Sequence, residues 1–476
     1  MIESTFFKTD NDNYYLYDDE SRLVLYIHPE LAKAEQGKSE DKYYIRKHDY
    51  LKSKGLIKSH QNIHFSTINS NLIKDSISQT KQIVFEVTDK CNLKCIYCIY
   101  GDLYDIPTAR NIHEINFKDA SALLKFIINQ KADDDDSEFF ISFFGGEPLM
   151  NIKFIKKIIS LARRLCGHKK LKLKFSMTTN SVLLLKHANF LINNDFKLLI
   201  SLDGNKENDS YRISKNNNCS FDLVIRNLDY IKDRFPLFFE NNISFNAVLH
   251  DKNSIKDIYE FIYKKYRKIP RIAELSLDNP REGKEEKLRK MHKYINAKDY
   301  DSLKMNKDIY NLSQYESPRY HNIMNFLNYN SVNYYISNIN LIIQDRDIYF
   351  PTDTCLPFSR KIFMTVQGKI MPCEKITTDN LLGTVNNNVL IDTDFIASQY
   401  NILYEIMSKQ CSNCYSYRIC GKCLFKITKF SNTKKNISCD SFCSKETFSS
   451  KLNKIFSTLE SNRKYLFQIA ETPILI

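Results

Sequence analysis

Three cysteines stand close together, Cys91, Cys95 and Cys98, in the spacing C-x3-C-x2-C. Thiolates bind soft metals and iron–sulfur clusters, and one loop can offer three of them to three corners of an iron–sulfur cube. The fourth iron then lacks a protein ligand and is open to a substrate. The competing reading is structural zinc, which closes its tetrahedron with a fourth Cys or His nearby. Nothing suitable follows Cys98. A second thiol-rich stretch, Cys355, Cys373, Cys411, Cys414, Cys420, Cys423, Cys439 and Cys443, holds eight of the 13 cysteines. The start (Met1 to Ser4) has no basic or apolar signal, so a cytoplasmic chain is expected, where clustered thiols mean metal before disulfides. Cys166 and Cys219 stand apart and are read as inert.

The elements that must position these groups are legible as short apolar runs separated by helix-length segments. Gln82–Thr88, Phe139–Phe144, Lys172–Thr178, Phe196–Leu202 and Ile243–Leu249 read as strands. Phe117, Ala120, Leu124, Ile127 and Ile128, then Phe154, Ile158, Ile159 and Ala162, recur at helical spacing. Strand alternating with helix predicts a parallel sheet, either open and doubly wound or curved into a barrel. Before it, residues 13–28 predict a hairpin around Asp18–Ser21, followed by a helix from Pro29 and another ending at Gly55. The expected organisation is a module at 1–57, a linker at 58–80, the strand–helix domain at 81–274, a helical connection at 275–350, a cysteine-rich domain at 351–446 and a C-terminal helix at 447–476. A hairpin is expected at Ile362–Pro372, turning at Gln367–Gly368.

Residues 82–250 resemble a radical S-adenosylmethionine (SAM) enzyme, whose signature is this cysteine spacing after the first strand. Three further segments carry the resemblance. Gly145-Gly146-Glu147-Pro148 matches the family's GGEP segment, which approaches the SAM amino group. Thr179-Asn180-Ser181 resembles its TNG segment near the ribose, with Ser181 standing where the family has Gly. Ser201-Leu202-Asp203-Gly204, followed by Asp209 and Arg212, resembles a stretch in which the Ser and Arg face the ribose and carboxylate of SAM. The last third resembles the SPASM extension, through Cys355 with Gly368 to Cys373 and then C-x2-C-x5-C-x2-C from Cys411 to Cys423, one residue shorter in its last gap than usual. The implied fold is α/β, a partial (β/α)6 barrel with an N-terminal winged-helix-like module and a C-terminal cysteine-rich domain.

The resemblance implies a 4Fe–4S cluster on Cys91, Cys95 and Cys98 that cleaves SAM to a 5′-deoxyadenosyl radical, with SAM contacts from Gly145 to Pro148, Asn180, Ser201, Asp203 and Arg212. It also implies two auxiliary 4Fe–4S clusters. Cys411, Cys414, Cys420 and Cys439 hold one, and Cys355, Cys373, Cys423 and Cys443 the other. Glu374, next to Cys373, stands where sulfatase-maturing relatives carry an Asp base, with a structural role as the alternative. An electron donor such as flavodoxin or ferredoxin is expected.

The N-terminal pattern resembles the leader-binding module of ribosomal peptide maturases, which adds a peptide as a strand to its hairpin edge. The expected function is therefore a precursor-peptide maturase forming a thioether or carbon–carbon cross-link. The alternatives are an anaerobic sulfatase-maturing enzyme, a tRNA-modifying enzyme, or a non-catalytic metal-stabilised binding protein. The chain's 476 residues exclude a single small module, and 43% hydrophobic with 26% charged residues exclude disorder. The net charge of +13 is spread too evenly to specify nucleic acid, and no apolar run is long enough to span a membrane.

Overall fold

The structure, a computed structural model, describes residues 2–20, 22–57, 63–105, 113–132, 136–331, 350–376, 381–427 and 439–462. Two compact units emerge. One holds Ser70–Ser317 and Cys355–Ile396; the other holds Met1–Asn69, Pro318–Thr354 and Ala397–Ile476. The strands β1 (Thr5–Lys8), β2 (Tyr14–Tyr17) and β3 (Val24–Ile27) lie in the second, and β4 (Gln82–Thr88), β5 (Glu138–Gly145), β6 (Lys172–Thr179), β7 (Lys197–Ser201), β8 (Ile243–Leu249), β9 (Arg271–Glu274), β10 (Ile362–Met364), β11 (Lys369–Met371), β12 (Gly383–Asn386) and β13 (Asn388–Leu390) in the first.

Strands β4 to β9 pair in sequence order, each parallel to the last. This is the six-stranded array expected of the (β/α)6 fold. β4 is buried along almost its whole length because helices cover a parallel sheet. The helices Phe117–Asn129 and Ile152–Leu165 are started by Asn116 and Asn151, whose side chains accept the N–H of Lys118 and Phe154. They bury Leu123, Leu124, Ile127 and Ile128, and Phe154, Ile155, Ile158 and Ile159, respectively. On the sheet's other side, Gln82 Nε2 donates to Ser142 Oγ at 2.7 Å, and Ser142 meets Ser176 at 2.5 Å. That polar seam lies on one face of the central strands.

The expected hairpin at Ile362–Pro372 is present as β10 and β11, and it extends the sheet: β10 runs parallel to β4, and β11 to β13 follow antiparallel. Three features depart from expectation. β9 carries no apolar alternation (RIAE, largely exposed), so no hydrophobic signal marks it. The stretch 58–80, expected to be a linker, contains the helix Ser70–Gln79, whose polar sequence hides the two buried anchors Ile73 and Ile77; residues 58–62 lie outside the described residues. The helical connection at 275–350 divides between the units at Ser317, and its residues 332–349 lie outside the described ones.

In the second unit, β1, β2 and β3 form an antiparallel sheet in that order, with helices Pro29–Glu35 and Lys42–Ser53 after it. The hairpin and both helices were expected; β1 was not. Ile2, Phe7 and Tyr17 share one core with Tyr320, Ile323 and Phe326, and with Phe448, Leu452 and Ile455 of the C-terminal helix Lys445–Ser461. The N-terminal strands therefore belong to a larger body than residues 1–57. The expected extension of the C-terminal helix to 476 falls partly on residues 463–476, outside the described residues. No helix among the described residues is long and apolar enough to cross a membrane.

Candidate active site

The loop from Cys91 to Cys98 leaves the C-terminal end of β4 and is fixed by backbone pairing. Lys94 N donates to Ile213 O at 2.7 Å and Ile96 N to Tyr211 O at 3.0 Å, so the cysteine loop and the segment around Arg212 lie side by side. Tyr97, Leu103 and Tyr104 pack beneath it against Tyr211, Leu275, Leu288 and Met291. All three cysteines are half-buried.

The Gly145–Pro148 turn presses on the base of this loop. Gly146 N donates to Thr88 O and Glu147 N to Lys90 O, each at 2.9 Å. A Cβ on Gly145 would sit 2.2 Å from Thr88 O, and one on Gly146 2.1 Å from Lys90 O. These glycines are thus required by the closeness of two backbone segments, and Gly145 also takes φ +138°. Glu147 is buried with its carboxylate turned inward. It accepts from Thr179 Oγ1 at 2.7 Å, Asn180 N at 2.8 Å and Leu149 N at 3.2 Å. Burial raises its pKa against the lowering by these bonds. Glu147 ties β5 to β6, and Pro148 starts the short turn Pro148–Asn151 beyond it.

Asn180 reaches the cysteine loop, its Nδ2 donating to Asn92 Oδ1 at 2.8 Å and lying 3.8 Å from Cys91 Sγ. Ser181 adopts φ +63°, the left-handed conformation for which glycine is the usual choice, so the chain keeps that turn at a cost of about 1–2 kcal/mol. Asp203 is fully buried at the end of β7, accepting from Val248 N at 2.9 Å and from the Tyr97 hydroxyl. Arg212 is also buried, and its Nη1 donates to Tyr97 Oη at 2.8 Å. Asp209 Oδ1 accepts from Asp203 N at 3.0 Å and lies 3.8 Å from Arg212 Nε, while its Oδ2 is buried without a hydrogen-bond partner. Burial pushes the Asp209 carboxyl up to about 8 despite Arg212. Ser201, half-buried, closes β7. Tyr97 and His250 complete this buried group; residue patterning does not reveal them, although Tyr97 lies inside the cysteine motif itself.

Burial pushes the Cys91 thiol up to about 11 and the Cys95 thiol up to about 12, and Arg212 acts against it at both. Such thiols become ligands when bound metal displaces their protons, and the neighbouring guanidinium favours the same outcome. Among the described residues, no three or more His, Cys, Asp or Glu are grouped to hold a single metal ion. A four-iron cube takes its thiolates at separate corners, wider apart than the shell of one ion. The donor set of Cys91, Cys95 and Cys98 fits it.

Glu374 and Cys373 belong to the same unit as this loop, as does Cys355. Both Glu374 carboxylate oxygens accept from Lys361 Nζ, at 2.9 and 3.1 Å. The other C-terminal cysteines lie in the second unit. Cys411 ends the helix Thr393–Cys411, and Cys443 N donates to Cys414 Sγ at 3.4 Å. Gln410 binds the backbone of Cys439 on both sides, accepting from its N at 2.9 Å. Burial pushes Cys411 up to about 12, and the nearby thiols of Cys414, Cys420 and Cys439 push it the same way. Cys414, Cys420 and Cys439 thus lie near Cys411, and Cys443, expected in the other set, lies beside Cys414. Cys166 is buried at a helix end and Cys219 sits in a short bridge with Ile213.

Residues 85–262 match the family model of the Radical SAM superfamily. The cysteine-type anaerobic sulfatase-maturating enzyme of Clostridium novyi (strain NT) is 27% identical over 394 residues, spanning 78% of this chain and 95% of that protein. The radical SAM cyclopropyl synthase TigE of Paramaledivibacter caminithermalis is 27% identical over 163 residues, 33% of each chain. The solved structure of native anSMEcpe with bound AdoMet and Kp18Cys peptide superposes with a TM-score of 0.54 at 19% identity, over 82% of this chain and 99% of that one, a likeness of fold.

Proposed function

We propose, from the premise that this chain is an enzyme carrying a radical SAM domain, that it matures a ribosomally made precursor peptide by forming a thioether or carbon–carbon cross-link. A 4Fe–4S cluster with SAM, bound there, would supply radical chemistry for hydrogen abstraction from the substrate. Cys91, Cys95 and Cys98 hold that cluster on a loop whose position is set by β4, by the 211–213 segment and by the Gly145–Pro148 turn. Asn180, Ser201, Asp203 and Arg212 line the same end of the strands, where SAM binds. Arg212 brings a buried positive charge for a carboxylate, and Asp203 holds Arg212's partner Tyr97. Cys411, Cys414, Cys420 and Cys439 hold an auxiliary cluster, and a flavodoxin or ferredoxin supplies electrons.

The observation that carries the peptide reading is the three-stranded sheet of the second unit. On its β1 edge two carbonyls are already used, Lys8 O accepting from Asn453 Nδ2 at 2.6 Å and Phe6 O from Ser449 Oγ at 3.5 Å. β3 is the opposite edge, and an extended leader adds there by main-chain hydrogen bonds. A second reading, conversion of a sulfatase Cys or Ser to formylglycine, is favoured by the length of the match to the Clostridium novyi enzyme. The test is the product of the reconstituted full-length enzyme. A short peptide encoded beside its gene is expected to lose two hydrogens per link, and the same peptide without its leader is not. An aldehyde on a sulfatase-derived peptide, with the neighbouring peptide unchanged, would replace the first reading by the second.

A further inference from the structure

Tyr97 stands between two of the loop cysteines, and its hydroxyl is bonded within a buried group drawn from three other segments. It donates to Asp203 Oδ2 at the end of β7 and accepts from Arg212 Nη1 at 2.8 Å. Asp203 is held in turn by Val248 N of β8 at 2.9 Å and, through its own N–H, by Asp209 at 3.0 Å. The tyrosine ring lies 5.7 Å from the ring of His250 and 6.3 Å, edge-on, from that of Tyr211. His250 Nε2 is 3.8 Å from Asp203 Oδ2. Tyr97 and Arg212 are each 7% exposed, and Asp203 and His250 not at all.

A hydroxyl placed between a buried carboxylate and a buried guanidinium is a dipole aligned by two opposite charges, and in a water-poor site both bonds are stronger than at the surface. The same residue carries the backbone between Cys95 and Cys98. Arg212 is thus tied, through one hydroxyl, to a side chain rooted in the cysteine loop.

We propose that Tyr97 is a positioning residue whose hydroxyl locks Arg212 to the cysteine loop, so that the group binding the SAM carboxylate and the loop binding the cluster keep one fixed relation. The inference rests on the reading of Arg212 as a SAM contact. It adds that Arg212 acts in an orientation it owes to Tyr97 and Asp203.

Tyr97→Phe keeps the ring and removes the hydroxyl. In the anaerobically reconstituted full chain, this variant is expected to keep wild-type iron content and the wild-type signal of the reduced cluster without SAM. Its SAM dissociation constant should rise about tenfold or more, because the hydroxyl's bonds to two charged groups are lost. The rate of 5′-deoxyadenosine formation at saturating SAM should fall much less. Arg212→Gln should weaken SAM binding at least as much, and the double variant no further than Arg212→Gln alone, since both remove one interaction. Asp203→Asn, which keeps an oxygen for Val248 N–H, should reproduce Tyr97→Phe. If Arg212→Gln weakens binding while Tyr97→Phe and Asp203→Asn bind SAM like the wild type, the lock does not exist. Additive losses in the double variant would overturn it too. Arg212→Gln without effect would instead remove the reading of Arg212. Loss of iron or of the fold in both Tyr97→Phe and Asp203→Asn would overturn the proposal, because the group would then support the fold and not the placement of Arg212.

Discussion

Cys91, Cys95 and Cys98 sit on one loop whose backbone is bonded to residues 211 and 213 and whose tyrosine is bonded to two more segments, whereas Cys411, Cys414, Cys420 and Cys439 are brought together from a helix end, a turn and a distant stretch of chain. The first set is built on the ends of parallel strands. The second is built around a hairpin at the other end of the sequence: Arg418, between Cys414 and Cys420, pairs with Asp19 at 3.1 Å, and Tyr417 Oη donates to the same carboxylate at 3.0 Å. Both partners of the ion pair are close to fully buried, Arg418 at 10% and Asp19 at 6% side-chain exposure. Tyr415 Oη accepts from Glu3 N at 2.9 Å, and Lys445 meets Glu3 at 2.6 Å. The lesson is one of dependence: the first thiol set relies on the sheet beside it, and the second on the sheet proposed to receive the peptide.

The largest effect expected from this contrast is on product. Cys414→Ala or Cys420→Ala should abolish cross-linked peptide while leaving some 5′-deoxyadenosine formation, because the two thiol sets belong to different units. A folded, cluster-deficient variant still giving full product by mass spectrometry would show the C-terminal set to be structural. Next in size, Arg418→Ala leaves the Asp19 carboxylate buried without its counter-ion, held only by the hydroxyls of Tyr417 and Tyr17, a loss of about 3 kcal/mol. Hydrogen exchange should report it as faster exchange in β2 and β3, with β4 to β8 unchanged; equal protection in both proteins would break the proposed dependence.

Smaller still, Glu374→Gln loses an ion pair with Lys361 that is partly exposed, at 27% and 18% of the two side chains, worth about 1 kcal/mol or less. Product yield should stay close to wild type. Loss of product with clusters intact would move Glu374 into the catalytic set. A further effect concerns pH. The Asp209 carboxyl is raised to about 8 in the fold against about 4 in an unfolded chain, so the folded state binds the extra proton in between and stability falls as pH rises across that window. Asp209→Asn should flatten the fall in melting temperature between pH 5 and pH 8. An unchanged slope would show that Arg212 keeps Asp209 ionised throughout.

What the sequence discloses follows the range of the physics involved. Strands β4 to β8 are local apolar runs, and a loop of three cysteines is a local spacing, so both are legible. β9 is short and polar, and β1 (TFFK) finds its partners in Phe448 and Leu452 hundreds of residues later, so neither leaves a periodic trace. The group of Tyr97, Asp203, Arg212 and His250 is hidden for the same reason: a hydroxyl meeting a carboxylate 106 residues away imposes no pattern on the residues between. Gly145 and Gly146 are visible as a motif, but the reason for them, backbone against backbone at Thr88 and Lys90, is visible only in the fold. Ser181 shows the converse. Its side chain departs from the family pattern, and the backbone beneath it keeps the left-handed turn.

The central claim is that the Cys91–Cys98 loop, and no other thiol set, makes the chemistry. The most direct measurement is 5′-deoxyadenosine formed from SAM under reduction by the anaerobically reconstituted full chain and by its Cys91→Ala/Cys95→Ala/Cys98→Ala variant. The wild type should accumulate 5′-deoxyadenosine without any peptide present, and the variant, still carrying its C-terminal cysteines, should form none. Equal 5′-deoxyadenosine from the two proteins would contradict the account.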